Sequence, residues 1–354
     1  MSAEPEVIIR VEGAVGRLTI NRPAALGALT LGMVREMTVA LTAWASDPAI
    51  ELVLLDHHGE RGFSAGGDIR ALRDSLAGDG VLAFSFFYKE YQLDHLLFEY
   101  LKPTCVIMDG VVMGGGSGVA LPCRYRVATE RTSFAMPETG IGLFPDVGGG
   151  WYLSRLPGFA GTWLALTGAR VKAADCLLLG LATDYVPAAR IESLKAQIVA
   201  APTEIERILT EFDQDPGSPP YAQHEDVLNH IFHHDSVEAI IAALNAEGSD
   251  WALAQAKTIV GKSPTLSKVA LRQMRDGARM RRFADNMTME FRIAARVIVA
   301  DDFSEGVRTA IIDKDGAPRW TPATLAEVTP AMVEAIFAPL SADKEWKPLA
   351  AASQ

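Results

Sequence analysis

Apolar residues recur along this chain in two rhythms, and the change between them falls near residue 187. Before it, short apolar runs alternate with stretches of helical spacing. Glu6–Val11 and Val15–Ile20, joined by a Glu-Gly-Ala turn, predict a β-hairpin. The continuous apolar run Ile50–Asp56 fits a buried strand, and Cys105–Asp109 and Tyr125–Thr129 repeat that signature, each after a helical stretch. Thr30 is placed to cap a helix in which Met33, Met37, Leu41 and Trp44 share one face, and Ile69–Leu76 reads as another. Strands alternating with helices and abundant glycine predict the α/β class. Beyond residue 187, apolar residues recur every three to four positions over Ile191–Ala200, Glu225–Ala246, Asp250–Ile259, Lys268–Met274 and Met287–Val299. Turn-rich links fall at Asp213–Pro220 and Thr321–Pro330. The predicted organisation is a core over 1–187 and a mainly helical region over 188–354.

Composition narrows the class. Of 354 residues, 49% are hydrophobic and 22% charged, which excludes a mainly disordered chain. No run of about 18 uncharged apolar residues is present, so no membrane partner is expected. Met1–Gly13 carries Glu4, Glu6 and Glu12 in place of the basic residues of a secretory or transit segment, and the expected compartment is the cytoplasm. The net charge of −11 argues against a nucleic-acid partner. Cys105, Cys123 and Cys176 are widely spaced in apolar runs and read as reduced core residues. His230, His233 and His234 lie in a helical pattern and read as a solvated face, so no metal site is expected.

Three clusters carry candidate chemistry. Gly62-Phe63-Ser64-Ala65-Gly66 matches G-x-S-x-G, but a nucleophile elbow needs a strand running straight into the motif, and His57–Arg61 intervene. A glycine-rich ligand loop leading through Gly66-Gly67-Asp68 into Ile69–Leu76 is the better reading. The second cluster, Met113 to Gly118, follows a strand and starts a helix; its glycines let the backbone approach a ligand and turn free N–H groups toward an anion. It is not G-x-G-x-x-G, because Val119 stands at the third glycine position. Gly261-Lys262-Ser263 is not a Walker A loop either, because Ala256 replaces the upstream glycine. The third cluster is the apolar, Gly- and Pro-rich run Phe134–Gly150, in which Glu138 and Asp146 stand eight residues apart. A carboxylate there is costly unless hydrogen-bonded or turned to a site. Helix capping is the competing reading, stronger for Asp146 than for Glu138.

In order, Asn21-Arg22-Pro23, Phe63–Ile69, Gly114-Gly115-Gly116 and Met136-Pro137-Glu138 resemble the crotonase (enoyl-CoA hydratase/isomerase) superfamily. The whole block Phe134–Gly150, Phe86–Tyr91, Asp302–Arg308 and Ile312–Asp315 are similar to its 3-hydroxyisobutyryl-CoA hydrolase branch. The resemblance implies a spiral of ββα units with a helical C-terminal region. It implies an acyl-CoA substrate, with coenzyme A part of that substrate rather than a cofactor, lying along the loop of Ala65, Gly66 and Asp68. The Gly67 and Gly115 N–H groups correspond to the oxyanion-hole donors, and Glu90 matches a substrate-contacting position. Hydratases of the superfamily carry two glutamates; the site of one is Gly118 here, while Glu138 is retained and Asp146 supplies a second carboxylate. Gly27 and Ser64 depart from common residues of the family and read as structural. Relatives often form trimers through C-terminal helices, so the resemblance allows a homo-oligomer.

The expected activity is hydrolysis of a short-chain hydroxyacyl-CoA thioester, 3-hydroxyisobutyryl-CoA in valine catabolism, with Glu138 and Asp146 catalytic. Hydration or isomerisation through Glu138, a Ser64 serine hydrolase and a non-catalytic acyl-CoA-binding subunit are the alternatives.

Overall fold

The computed structural model describes residues 4–349. β1 (Val7–Glu12) and β2 (Val15–Ile20) form the expected antiparallel hairpin, in register from Val7 opposite Ile20 to Glu12 opposite Val15. The large sheet then grows by parallel pairing of β3 (Leu52–His57), β5 (Thr104–Met108), β7 (Tyr125–Ala128) and β9 (Asp184–Tyr185). A second, three-stranded parallel sheet holds β4 (Gly62–Ser64), β6 (Val111–Met113) and β8 (Ser133–Ala135). From β3 onward each pair of strands thus gives one to each sheet before the chain turns into helix. α1 (Leu31–Ser46) precedes β3; α2 (Ile69–Leu76) and α3 (Val81–Phe98) follow β4; α4 (Gly115–Ala120) follows β6. This is the expected spiral of ββα turns.

Parallel strands covered on both faces read as unbroken apolar runs, and β3 and β5 are buried almost throughout. Leu52, Leu54, Cys105 and Ile107 pack against helices Ile191–Ala200 and Ile205–Phe212, whereas Val53, Leu55, Val106 and Met108 face the main core. The one acid in this run, Asp56, is compensated by Thr19 Oγ1 and Arg17 Nη2 at 2.6 Å and by Lys195 Nζ at 3.0 Å, which ties Ile191–Ala200 to the sheet.

Thr30 caps α1, its Oγ1 accepting from Met33 N at 3.2 Å. The helix expected over Glu225–Ala246 is two, Glu225–Ile231 and Val237–Glu247. Ser236 accepts from Ala239 N at 3.1 Å and starts the second one; a good cap outcompetes helix continuation, so His233 and His234 lie in the intervening turn. Helix Pro264–Arg279 is longer than its predicted piece because Ser263 caps it and Pro264 occupies its first turn. The three cysteines are buried and unpaired among the described residues, and no described helix is long and apolar enough to cross a membrane.

Candidate active site

The loops leaving β4 and β6 start α2 and α4 side by side, and segment 134–150 closes over them. Between them lies a cavity of about 60 Å³. Ala65, Gly66, Gly67, Gly114 and Gly115 form one wall, Glu90 enters from α3, and Glu138 and Asp146 enter from the opposite side; Phe86, Phe87, Ile141 and Leu143 supply apolar surface. Seven of the eight site residues expected from sequence therefore share one cavity. Asp68 does not line it: its carboxylate caps α2, accepting from Ala71 N at 3.3 Å, and receives Arg22 Nη2 at 3.0 Å, so Asp68 builds the loop.

Gly67 and Gly115 line this cavity, and neither amide N–H has a backbone acceptor among the described residues. Gly115 is the first residue of α4 and its N–H precedes the intrahelical ladder. On the other loop, Leu29 N donates to Gly66 O at 2.8 Å and Asp68 N to Leu29 O at 2.9 Å, which fixes the backbone and leaves Gly67 N–H unengaged. Gly114 has φ 49° and ψ −128°, and a Cβ there would stand 3.3 Å from both Glu138 Oε1 and Gly66 Cα. Only glycine allows that close approach.

Ser64 is wholly buried. Its Oγ donates to Gly27 O at 2.8 Å and accepts from Gly66 N at 3.3 Å, so it braces the loop and has no base to activate it. Gly118 is not among the residues lining the cavity, and a Cβ there would stand 2.6 Å from Val147 Cβ and 2.8 Å from Asp94 Oδ1.

Glu90, Glu138 and Asp146 are 2%, 4% and 5% exposed. Asp146 is not a helix cap, since helix Gly149–Tyr152 starts after Gly148; its Oδ2 instead accepts the Tyr91 hydroxyl at 2.8 Å. Burial pushes the Asp146 carboxyl up to about 7 against the opposing Tyr91 bond. Burial, then the charge of Asp146, raises Glu138 and Glu90 well above the ordinary carboxylate range; for Glu138 its own backbone N–H and the Lys262 ammonium oppose the rise.

Sequence reasoning missed the supports. Glu290, on helix Phe283–Val297, accepts from Gly148 N at 2.7 Å, Gly150 N at 2.9 Å, Asn286 Nδ2 at 2.8 Å and Gln273 Nε2 at 3.1 Å. Gln273 also donates to Pro145 O at 2.7 Å, so two C-terminal helices hold the loop that carries Asp146. Asp94 is fully buried one turn beyond Glu90, with no hydrogen-bond partner for either oxygen. The available signals were polar residues at four-residue spacing on apolar helix faces: Glu90 with Asp94, and Asn286 with Glu290.

The model of the family described as enoyl-CoA hydratase/isomerase matches residues 15–337. A 3-hydroxyisobutyryl-CoA hydrolase, mitochondrial, of Danio rerio is 41% identical over 347 residues, covering 96% of this chain and 91% of that protein. Among solved structures, a carnitinyl-CoA dehydratase from Mycobacterium thermoresistibile is 41% identical with a TM-score of 0.92, covering 97% of this chain and 98% of that one. An enoyl-CoA hydratase from Rhodobacter sphaeroides 2.4.1 is 35% identical with a TM-score of 0.90, covering 97% and 100%. These whole-chain matches bear out both the resemblance read from the motifs and the α/β architecture.

Proposed function

Because the chain belongs to the enoyl-CoA hydratase/isomerase family, we propose that it is an acyl-CoA thioester hydrolase of the short-chain hydroxyacyl class, converting 3-hydroxyisobutyryl-CoA and water to 3-hydroxyisobutyrate and CoA. One observation carries this reading: Glu138 and Asp146 share a cavity with two unengaged amide N–H groups, while position 118 brings no carboxylate to it. Sequence kinship at the level of 41% with the zebrafish hydrolase points the same way. The cavity holds a handful of water-sized groups, the scale of a short branched acyl chain.

In this reading the thioester carbonyl accepts from Gly67 and Gly115 N–H, and coenzyme A lies along Ala65–Gly66. Nucleophilic addition turns the carbonyl oxygen into an oxyanion held by those two amides, each typically worth about 3–4 kcal/mol in the transition state. Ionised Glu138 either takes a proton from the attacking water or attacks the carbonyl itself, forming an acyl-enzyme anhydride that water then opens. Collapse expels the CoA thiolate, which takes up a proton. Glu90 and Asp146 orient the acyl group and its hydroxyl, and Asp146 assists proton transfer. Glu138→Gln should cut thiol release by at least about 100-fold with folding intact; undiminished release would overturn the role. Single turnover in oxygen-18 water tests the anhydride route, because water opening the anhydride at the Glu138 carboxyl carbon leaves label in the Glu138 peptide and the general-base route cannot.

Hydration through Glu138 is the second reading, favoured by the likeness to the solved dehydratase and hydratase. Parallel assays of thiol release and double-bond absorbance on hydroxyacyl- and enoyl-CoA compounds decide between them. The hydrolase reading places the reaction in valine catabolism. The name of the zebrafish relative assigns that protein to mitochondria; for this chain we propose the cytoplasm, with cell fractionation as the check.

A further inference from the structure

Five carboxyl groups, Glu90, Asp94, Glu138, Asp146 and Glu290, are buried in or against the candidate active site. Among the described residues none of them has a cationic side chain at ion-pair distance, and the Lys262 ammonium opposes the rise at Glu138. Lys262 is half-buried and stands in the short connection between helices Asp250–Val260 and Pro264–Arg279. Its neighbours are pinned. Ser263 N donates to Thr139 O at 3.1 Å, Ser263 Oγ donates to Asp302 Oδ2 at 2.5 Å, and Trp320 Nε1 donates to Gly261 O at 3.1 Å.

The ammonium is thereby held against the turn that carries Glu138. A Cβ on Gly140 would stand 3.0 Å from Lys262 Nζ. A Cβ on Gly168 would stand 3.6 Å from the same atom and 2.7 Å from Pro137 Cα. Two missing side chains thus form a slot for one cation. Lys195, the buried lysine, is spent on Asp56 at 3.0 Å, and Lys268 is spent on Glu238 at 2.7 Å; Lys262 has no carboxylate at ion-pair distance among the described residues.

We propose that Lys262 is a positioning residue for the reaction, an ammonium locked beneath the Pro137–Gly140 turn as the counter-charge that opposes protonation of Glu138. This rests on the reading above in which Glu138 works as a carboxylate. The other charges around Glu138 oppose it or are committed elsewhere. Glu90 from α3 and Asp146 from the same segment line the cavity with it and repel its charge. Asp302, on the helix Asp301–Val307 that packs on the turn, bonds Ser263 Oγ and Thr321 N. Arg308, just beyond that helix, is held by Glu305, Asp313 and Asp315. Removing Lys262 therefore leaves burial and like charge opposed only by the backbone N–H of Glu138, and Glu138 takes up its proton more readily.

The test is the pH profile of thiol release by the full-length wild type, Lys262→Met, Lys262→Gln and Lys262→Arg. Lys262→Met and Lys262→Gln should lose about tenfold or more on the acid side and recover as pH rises, with KM for the acyl-CoA unchanged, while Lys262→Arg keeps the wild-type profile. A loss of equal size at every pH, or one confined to KM, overturns the proposal. The infrared band of the protonated carboxyl that disappears in Glu138→Gln gives a readout independent of turnover: it should persist to higher pH in Lys262→Met than in the wild type. Wild-type protein that releases no thiol sinks the hydrolase reading, whereas an unmoved band sinks the role of Lys262.

Discussion

Asp146 shows what a buried acid does to a protein's stability. Its carboxyl titrates at about 7 in the folded chain, above its ordinary value of 3.8, because burial penalises the charged form. The folded state keeps a proton that the unfolded chain releases near pH 4, so the stability this group contributes is present below about pH 4 and is lost as pH rises through 7. Asn does not titrate and can still accept the Tyr91 hydroxyl. Asp146→Asn should therefore raise unfolding stability at pH 8 by about 1–2 kcal/mol, leave it unchanged at pH 4, and cut thiol release by about 100-fold or more. Urea melts at both pH values check this; a gain equal at pH 4 and pH 8 would trace the effect to packing. Glu138 and Asp146 were legible in the sequence because each is a lone charge in an apolar run. Tyr91 was not, since an aromatic residue in an apolar helix reads as core until its hydroxyl is seen on Asp146.

At the scale of elements, the active-site loop is held from outside the core. Glu290, pushed up to about 8 by burial against the opposing bonds from Gly148, Gly150 and Asn286, is the clasp between helix Phe283–Val297 and the Asp146 loop. Glu290→Ala orphans two backbone N–H groups and the Asn286 amide, and takes one of two acceptors from Gln273. It should cost about 3 kcal/mol in urea unfolding, and thiol release should fall with it, since Asp146 loses its frame. An unchanged unfolding midpoint would show that the loop stands without the clasp. The same scale explains the broken helix. Periodicity alone joins Glu225 to Ala246, and the cap at Ser236 is a local hydrogen bond that a count of apolar positions does not register.

For the whole molecule, one hydrophobic cluster contains Phe63 and Phe134 from the small sheet together with Met287, Phe303 and Trp346 from the helical region. Gln92 Nε2 on α3 donates to Lys347 O at 2.9 Å, and Arg70 Nη2 on α2 to Ile311 O at 3.2 Å. Residues 1–187 expressed alone should be insoluble or lack a cooperative thermal transition, because they would expose the apolar surface that the C-terminal helices cover. A soluble, cooperatively melting fragment would contradict this. The sequence by itself determined most of the elements and the groups of the candidate site: strand runs, most helices, the two glycine loops and the paired acids are local patterns, governed by periodicity and by the cost of charge in apolar surroundings. Tertiary structure alone decided which of these groups meet. Gly118 turning to Val147, Tyr91 reaching Asp146, Glu290 gripping Gly148 and Lys262 lying under Gly140 each join segments far apart in the chain, and no spacing along a chain encodes a contact made across the fold.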